Sequence, residues 1–196
     1  IAERRLLTRM LGHLSRHGLN APADAFIAQC LNNKNNPKAI DLLAYGSHAL
    51  AEQYASKLHE NAGSLAFVRL AKYHPEFTAA FLIREVQASP SLDPRQRYRY
   101  MPLFALLAKG APDTTLNLIR LLFERGEEPH TVAAALRELV RRRPGEVFDL
   151  LKMRRESSRP QHPPGAFGVV RFDAVAHKLG AERLAYLIEH APSTLS

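Results

Sequence analysis

Residues 112–123 read Pro112-Asp-Thr-Thr-Leu-Asn-Leu-Ile-Arg-Leu-Leu-Phe123. Leu116, Ile119, Leu122 and Phe123 recur every three or four residues, the spacing of one face of an α-helix, and are interrupted only by polar positions such as Asn117 and Arg120. Pro112 opens the run. Proline suits a first helical turn because the N–H it lacks would have no intrahelical partner there. The same pattern extends in both directions. Leu6, Leu7, Met10, Leu11 and Leu14 form another stripe, and no long segment alternates with period two. Leu and Ala outweigh Val, Ile and Thr, a bias that favours helix over strand through side-chain entropy. The sequence predicts an all-α protein.

Proline punctuates the chain. Pro22, Pro37, Pro75, Pro94, Pro112, Pro129 and Pro144 each precede an amphipathic run, with Asp93 placed to cap the helix at Pro94. The predicted helices number ten or eleven and span 2–17, 22–32, 37–59, 63–73, 76–88, 94–108, 112–125, 129–143, 144–154, 169–179 and 181–190. Pro102 lies too deep in its helix for a first-turn proline, which predicts a kink or a fresh start near Met101. Four openings share a local pattern: Pro37-Lys-Ala-Ile-Asp-Leu-Leu, Pro75-Glu-Phe-Thr-Ala-Ala-Phe-Leu, Pro112-Asp-Thr-Thr-Leu-Asn-Leu-Ile and Pro144-Gly-Glu-Val-Phe-Asp-Leu-Leu. They recur after about 38, 37 and 32 residues, the length of two helices and two turns. Stacked antiparallel helical hairpins in an α-solenoid-like array are therefore expected, with a compact irregular helical bundle as the alternative.

Between Ala51 and Pro75, small Ala51, aromatic Tyr54, small Gly63, aromatic Phe67 and Pro75 follow one another in an order that resembles a tetratricopeptide repeat. The resemblance implies that the small residues let two helices approach, that Tyr54 and Phe67 fill the space between them, and that Pro75 starts the next unit. Near Pro144, Phe123 keeps the aromatic place while Arg120 and Val132 occupy the small ones. The likeness covers about a third of the chain. It implies helical hairpins in an array without separating tetratricopeptide, pentatricopeptide and HEAT types.

The pattern fails over 155–168, where Glu156-Ser-Ser-Arg-Pro-Gln-His-Pro-Pro-Gly is rich in proline, serine and charge. This predicts an array over 1–154, a loop or linker over 155–168 and a C-terminal helical pair over 169–196 packed on the array. Asn32 to Asn36 is a shorter polar connection.

Of 196 residues, 46% are hydrophobic and 23% charged, a globular balance that excludes collagen-like, coiled-coil and wholly disordered chains. No apolar stretch approaches the roughly 20 residues that cross a bilayer. The single cysteine, Cys30, cannot form an intrachain disulfide, so a reducing, intracellular setting is expected. Residue 1 is Ile, which suggests that the chain belongs to something longer.

Catalytic signatures are missing. His13 and His17 stand at the i, i+4 spacing of two metal ligands, but no neighbouring Glu, Cys pair or third ligand accompanies them, so no metal or cofactor is expected. Cys30, between Ile27 and the polar connection, reads as a core residue. Gly165-Ala-Phe-Gly168 is too short to cradle phosphates, Pro160-Gln-His-Pro163 reads as linker, and Arg154-Arg-Glu-Ser157 resembles a basophilic kinase site.

Charge marks the remaining candidates. Lys and Arg total 27 against 19 Asp and Glu, a net +8 that favours anionic partners. Arg95, Arg97, Tyr98, Arg99 and Tyr100 interleave guanidinium groups with rings, able to neutralise phosphates and stack on bases. A second cluster comprises Arg137, Arg141, Arg142, Arg143, Lys152, Arg154 and Arg155. From 137 to 159 eight basic residues oppose four acidic ones, and the charges of two successive helix ends are expected to converge on one edge. Lys38, Asp41, Arg84 and Asn117 are expected to line a partner groove. The expectation is a non-enzymatic helical-repeat module or scaffold that recognises a protein partner, with RNA or single-stranded nucleic acid as the alternative ligand. Far-UV circular dichroism checks its foundation: a helix-dominated spectrum is expected, and substantial sheet content would remove the entire reading.

Overall fold

The computed structural model describes residues 7, 9–14, 17, 19–33, 37–61, 64–88, 94–157 and 167–195, and of residues 37, 38, 59–61, 64 and 94–101 only the backbone. Among the described residues the protein is all-α, with no strand. The α-helices are α1 (Asn20–Asn32), α2 (His48–Gln53), α3 (Ala55–Asn61), α4 (Ser64–Tyr73), α5 (Pro75–Ala88), α6 (Pro94–Gly110), α7 (Pro112–Glu124), α8 (Ala133–Arg142), α9 (Pro144–Ser157) and α10 (Ala181–His190). Short 3₁₀ segments cover Pro37–Tyr45, Pro129–Val132, Phe167–Val169, Asp173–Lys178 and Pro192–Thr194. Within the described residues no helix is long and apolar enough to cross a membrane.

Pro75, Pro94, Pro112 and Pro144 start helices, and Pro37 and Pro129 start 3₁₀ segments. Some sequence boundaries change. The span 37–59 is not one helix: it breaks at Gly46, after which Ser47 caps α2 by accepting the Leu50 N–H at 3.2 Å, and again at Tyr54. The span 169–179 holds no α-helix: Asp173–Lys178 is 3₁₀ and 170–172 are irregular. The helix runs on through Pro102, itself exposed, to Gly110. Of the expected loop, residues 158–166 lie outside the described part, while 155–157 finish α9 and Phe167 is buried.

The chain forms two compact units, Ile1–Phe81 and Leu82–Ser196, with the boundary inside α5. In the first, the Pro37–Tyr45 segment packs against α1 and α4. Ile40 and Leu43, three apart and so eclipsed in a 3₁₀ turn, are both buried. Gly46 passes so close to α1 and α2 that a Cβ there would meet Leu50 Cδ2 of α2 at 2.7 Å and Asp24 Oδ1 of α1 at 3.1 Å, and that same carboxylate oxygen accepts the Ser47 N–H at 2.7 Å. Ala51, Tyr54 and Phe67, the residues of the tetratricopeptide resemblance, are buried. Tyr54 donates to Asn32 Oδ1 at 3.2 Å and the Phe67 ring meets Phe81 at 5.7 Å; Gly63 lies outside the described residues.

In the second unit α6 and α7 pack as one hairpin and α8 and α9 as another, with α6 against α8 and α7 against α9. Leu103, Leu107, Ile119, Leu136, Leu139, Val147 and Leu151 fill the space between them. Between the hairpins α7 ends on Gly126, whose φ of +85° is one only glycine adopts cheaply, and the Glu127 N–H returns to the Leu122 carbonyl at 2.9 Å. The turn is gripped from the side by Arg154, only 8% exposed, which donates to the Glu127 carbonyl at 2.8 Å, the Gly126 carbonyl at 3.2 Å and the Glu128 carboxylate at 2.8 Å. Arg154→Met leaves the buried Glu127 carbonyl without its donor, and urea unfolding is expected to show a loss of about 1–3 kcal/mol.

Candidate binding cleft

The second basic cluster sits on a hairpin, and a hairpin separates its ends. Arg141, Arg142 and Arg143 lie at the turn between α8 and α9, whereas Lys152, Arg154 and Arg155 lie a helix length away, about 20 Å at 1.5 Å per residue. The expected convergence of these two helix ends therefore does not occur. What does meet is the C-terminus of α8 with that of α6: Arg142 donates to the Lys109 carbonyl at 3.0 Å and Lys109 pairs with Glu138 at 3.6 Å.

These cations are mostly engaged. Arg143 bonds Asp113 at 3.0 Å and lies 3.8 Å from Glu146, so it tethers the start of α7 to the start of α9. Arg137 donates to the Val169 carbonyl at 3.2 Å, and Arg155 to the His190 carbonyl at the end of α10 at 3.3 Å. Lys152 lies 3.8 Å from Glu156. Among the seven cations of this cluster, Arg141 alone has no partner among the described residues. The side chains of Arg95, Arg97, Tyr98, Arg99, Tyr100 and Lys38 lie outside the described residues. Asp41, in the first unit, faces Arg69 at 3.7 Å; Arg84 and Asn117, in the second, are exposed on α5 and α7. Arg154, the basic residue of the kinase-like Arg154-Arg-Glu-Ser157 stretch that lies three before the serine, is buried, so that stretch is not presented as an exposed motif.

His13 and His17 do come together, with ring centroids 4.2 Å apart, but no group of three or more metal-ligating side chains forms among the described residues. Cys30 is half-buried rather than in the core, its thiol pushed up by desolvation, while the neighbouring Phe26 is exposed.

A cleft of about 440 Å³ in the second unit lies between α9 and the start of α10, lined by Phe148, Asp149, Lys152, Leu179, Gly180, Ala181, Glu182, Arg183 and Tyr186. Its floor belongs to an aromatic cluster. Phe148 is buried and meets Phe167 at 5.6 Å, Phe172 at 6.4 Å and Tyr186 at 5.5 Å, and Tyr186 stacks on His190 at 4.2 Å. Cations cover the rings from the solvent side, with Lys152 Nζ 5.1 Å from the Tyr186 centroid and the Arg183 guanidinium 5.9 Å from that of Phe148. Arg183 also clasps Asp149 with two hydrogen bonds of 3.1 and 2.8 Å, which holds its already high pKa higher still. Gly180, at φ +77°, leaves the mouth clear of side-chain atoms.

The cleft is apolar below and charged at the rim, where Arg183 is matched to Asp149 and Lys152 lies near Glu156 while Glu182 faces the opening. Sequence reasoning named Lys152 and Arg155 here and missed Phe148, Arg183 and Tyr186, because a helical pattern does not tell that the helix carrying Phe148 meets the one carrying Arg183 and Tyr186. Phe148→Ala is expected to cost about 3–5 kcal/mol in a denaturant melt by emptying the middle of the aromatic cluster, while Arg183→Ala, at the solvated rim, costs less than about 1 kcal/mol. No family model matches the chain, and no curated protein or solved structure is detectably similar to it.

Proposed function

We propose that the protein is a non-enzymatic helical-repeat binding module that takes a segment of a protein partner in the cleft between α9 and α10. The observation that carries this is the pairing at the rim. Because Arg183 is already matched to Asp149 and Lys152 lies near Glu156, a peptide covering them buries no lone charge, and its apolar side chain reaches the Phe148 and Tyr186 rings. The repeat reading is supported by the correspondence of the two hairpins, first helix against first and second against second, each turning at a residue–proline step. Nucleic acid is the weaker reading, since a phosphate would have to displace the partners of Arg137, Arg142, Arg143, Lys152, Arg154 and Arg155.

The test is selection of linear peptides from a display library on the full chain, followed by fluorescence anisotropy of an enriched peptide on wild type, Tyr186→Ala and Lys152→Glu, with single-stranded RNA titrated in parallel at about 50 and about 200 mM salt. Micromolar peptide binding that weakens roughly tenfold or more in both variants is expected. Peptides indifferent to both variants would remove the cleft from the reading. RNA affinity that falls with salt and with replacement of Arg141, Arg142 and Arg143 by Ala would replace the reading with the nucleic-acid one.

A further inference from the structure

One residue, His74, closes α4 and opens α5. Its N–H reaches the Leu70 carbonyl at 2.6 Å, and its own carbonyl accepts both the N–H and the hydroxyl of Thr78, at 3.0 and 2.8 Å. At the corresponding steps Ala111-Pro112 and Arg143-Pro144 the side chain is a methyl group or an exposed guanidinium. At His74 it is a titratable ring turned into the protein. The imidazole Nε2 is buried and makes no hydrogen bond of good geometry, although backbone groups of Gly46 and Ala44 lie close enough to favour its charged form.

Two titratable groups face it. Asp24 of α1 would favour the imidazolium, yet its Oδ1 already accepts the Ser47 N–H at 2.7 Å. His48 of α2 opposes it. His48 is itself placed edge-on against Phe77, three residues beyond His74, at 5.6 Å. The ring thus stands where α1, the Gly46–Ser47 turn, α2 and the α4–α5 joint come together within the first unit.

We propose that His74 is an acid-sensitive latch: neutral, its ring fits under the Gly46–Ser47 turn, and protonated, it competes with the Ser47 N–H for Asp24, repels His48 and loosens the turn from α1. Burial lowers its pKa from the ordinary 6.5 and outweighs the backbone groups and Asp24, which act the other way. The unfolded chain therefore binds this proton more readily than the folded one. The latch's contribution to stability is complete above about pH 6.5 and is lost progressively as the pH falls below it.

The experiment is an NMR titration of the histidine ring signals and the Ser47 and Leu50 amides in the full chain from pH 7.5 to 5, with urea melts at both ends for wild type, His74→Phe and His48→Gln. Expected are a His74 midpoint below 6.5, Ser47 and Leu50 amides that shift with that midpoint, and a wild-type loss of stability in acid that His74→Phe reduces. In His48→Gln the His74 midpoint moves up, because a like charge has gone. A His74 midpoint at or above 6.5, or amides that ignore it, overturns the latch. Should His74→Phe fail to fold, the wild-type titration with assigned signals still separates these outcomes.

Discussion

The residue before a helix-starting proline carries the architecture. Proline has no N–H to continue a helix and crowds the residue before it out of the α region, so the chain must turn there. Ala111 and Arg143 adopt φ of −140° and −133° with ψ of 63° and 54°. Each nevertheless loses no backbone hydrogen bond: the N–H of Ala111 closes α6 on Leu107 at 2.7 Å and its carbonyl opens α7 on Thr115 at 2.9 Å, and Arg143 repeats this between Leu139 and Val147 at 2.7 and 3.1 Å. His74 does the same between α4 and α5. One residue satisfies both helix ends, which permits a tight hairpin with no loop to order.

Packing one such hairpin on the next, α6 on α8, brings helix ends of like polarity side by side, and the basic residues there answer that requirement. The C-termini of α6 and α8 leave carbonyls that Arg142 satisfies at Lys109, and the His190 carbonyl at the end of α10 is met by Arg155. Arg154 does the equivalent for the turn between the hairpins. Much of the positive charge between 137 and 155 is thus consumed in holding helix ends together, and less of it faces solvent than a count of residues implies.

The aromatic cluster around Phe148 has a different origin. Phe167 and Phe172 come from a stretch that forms only short 3₁₀ segments, and it is held by burying rings against α9 and Tyr186. The cleft exists because α10 starts beside that cluster at a glycine, which leaves the flank of Tyr186 and the Arg183–Asp149 pair lining an opening.

The sequence by itself determined the helical class and the helix starts at Pro75, Pro94, Pro112 and Pro144, because the three-to-four-residue apolar spacing and the proline effect are local properties of the backbone. It also placed Ala51, Tyr54 and Phe67 in the interior, since small and aromatic residues on an apolar stripe bury wherever the stripe packs. Only the tertiary structure decided which charges remain exposed. Whether Arg154 meets solvent or the Gly126 turn depends on which hairpin end lies beside it, a distance of 28 residues along the chain. The same holds for Phe148, Arg183 and Tyr186, whose meeting across more than thirty residues of sequence is a fact of packing. Gly46 and His74 belong to this second kind, for nothing in their neighbours' spacing announces that α1 closes over the one and that the ring of the other turns inward.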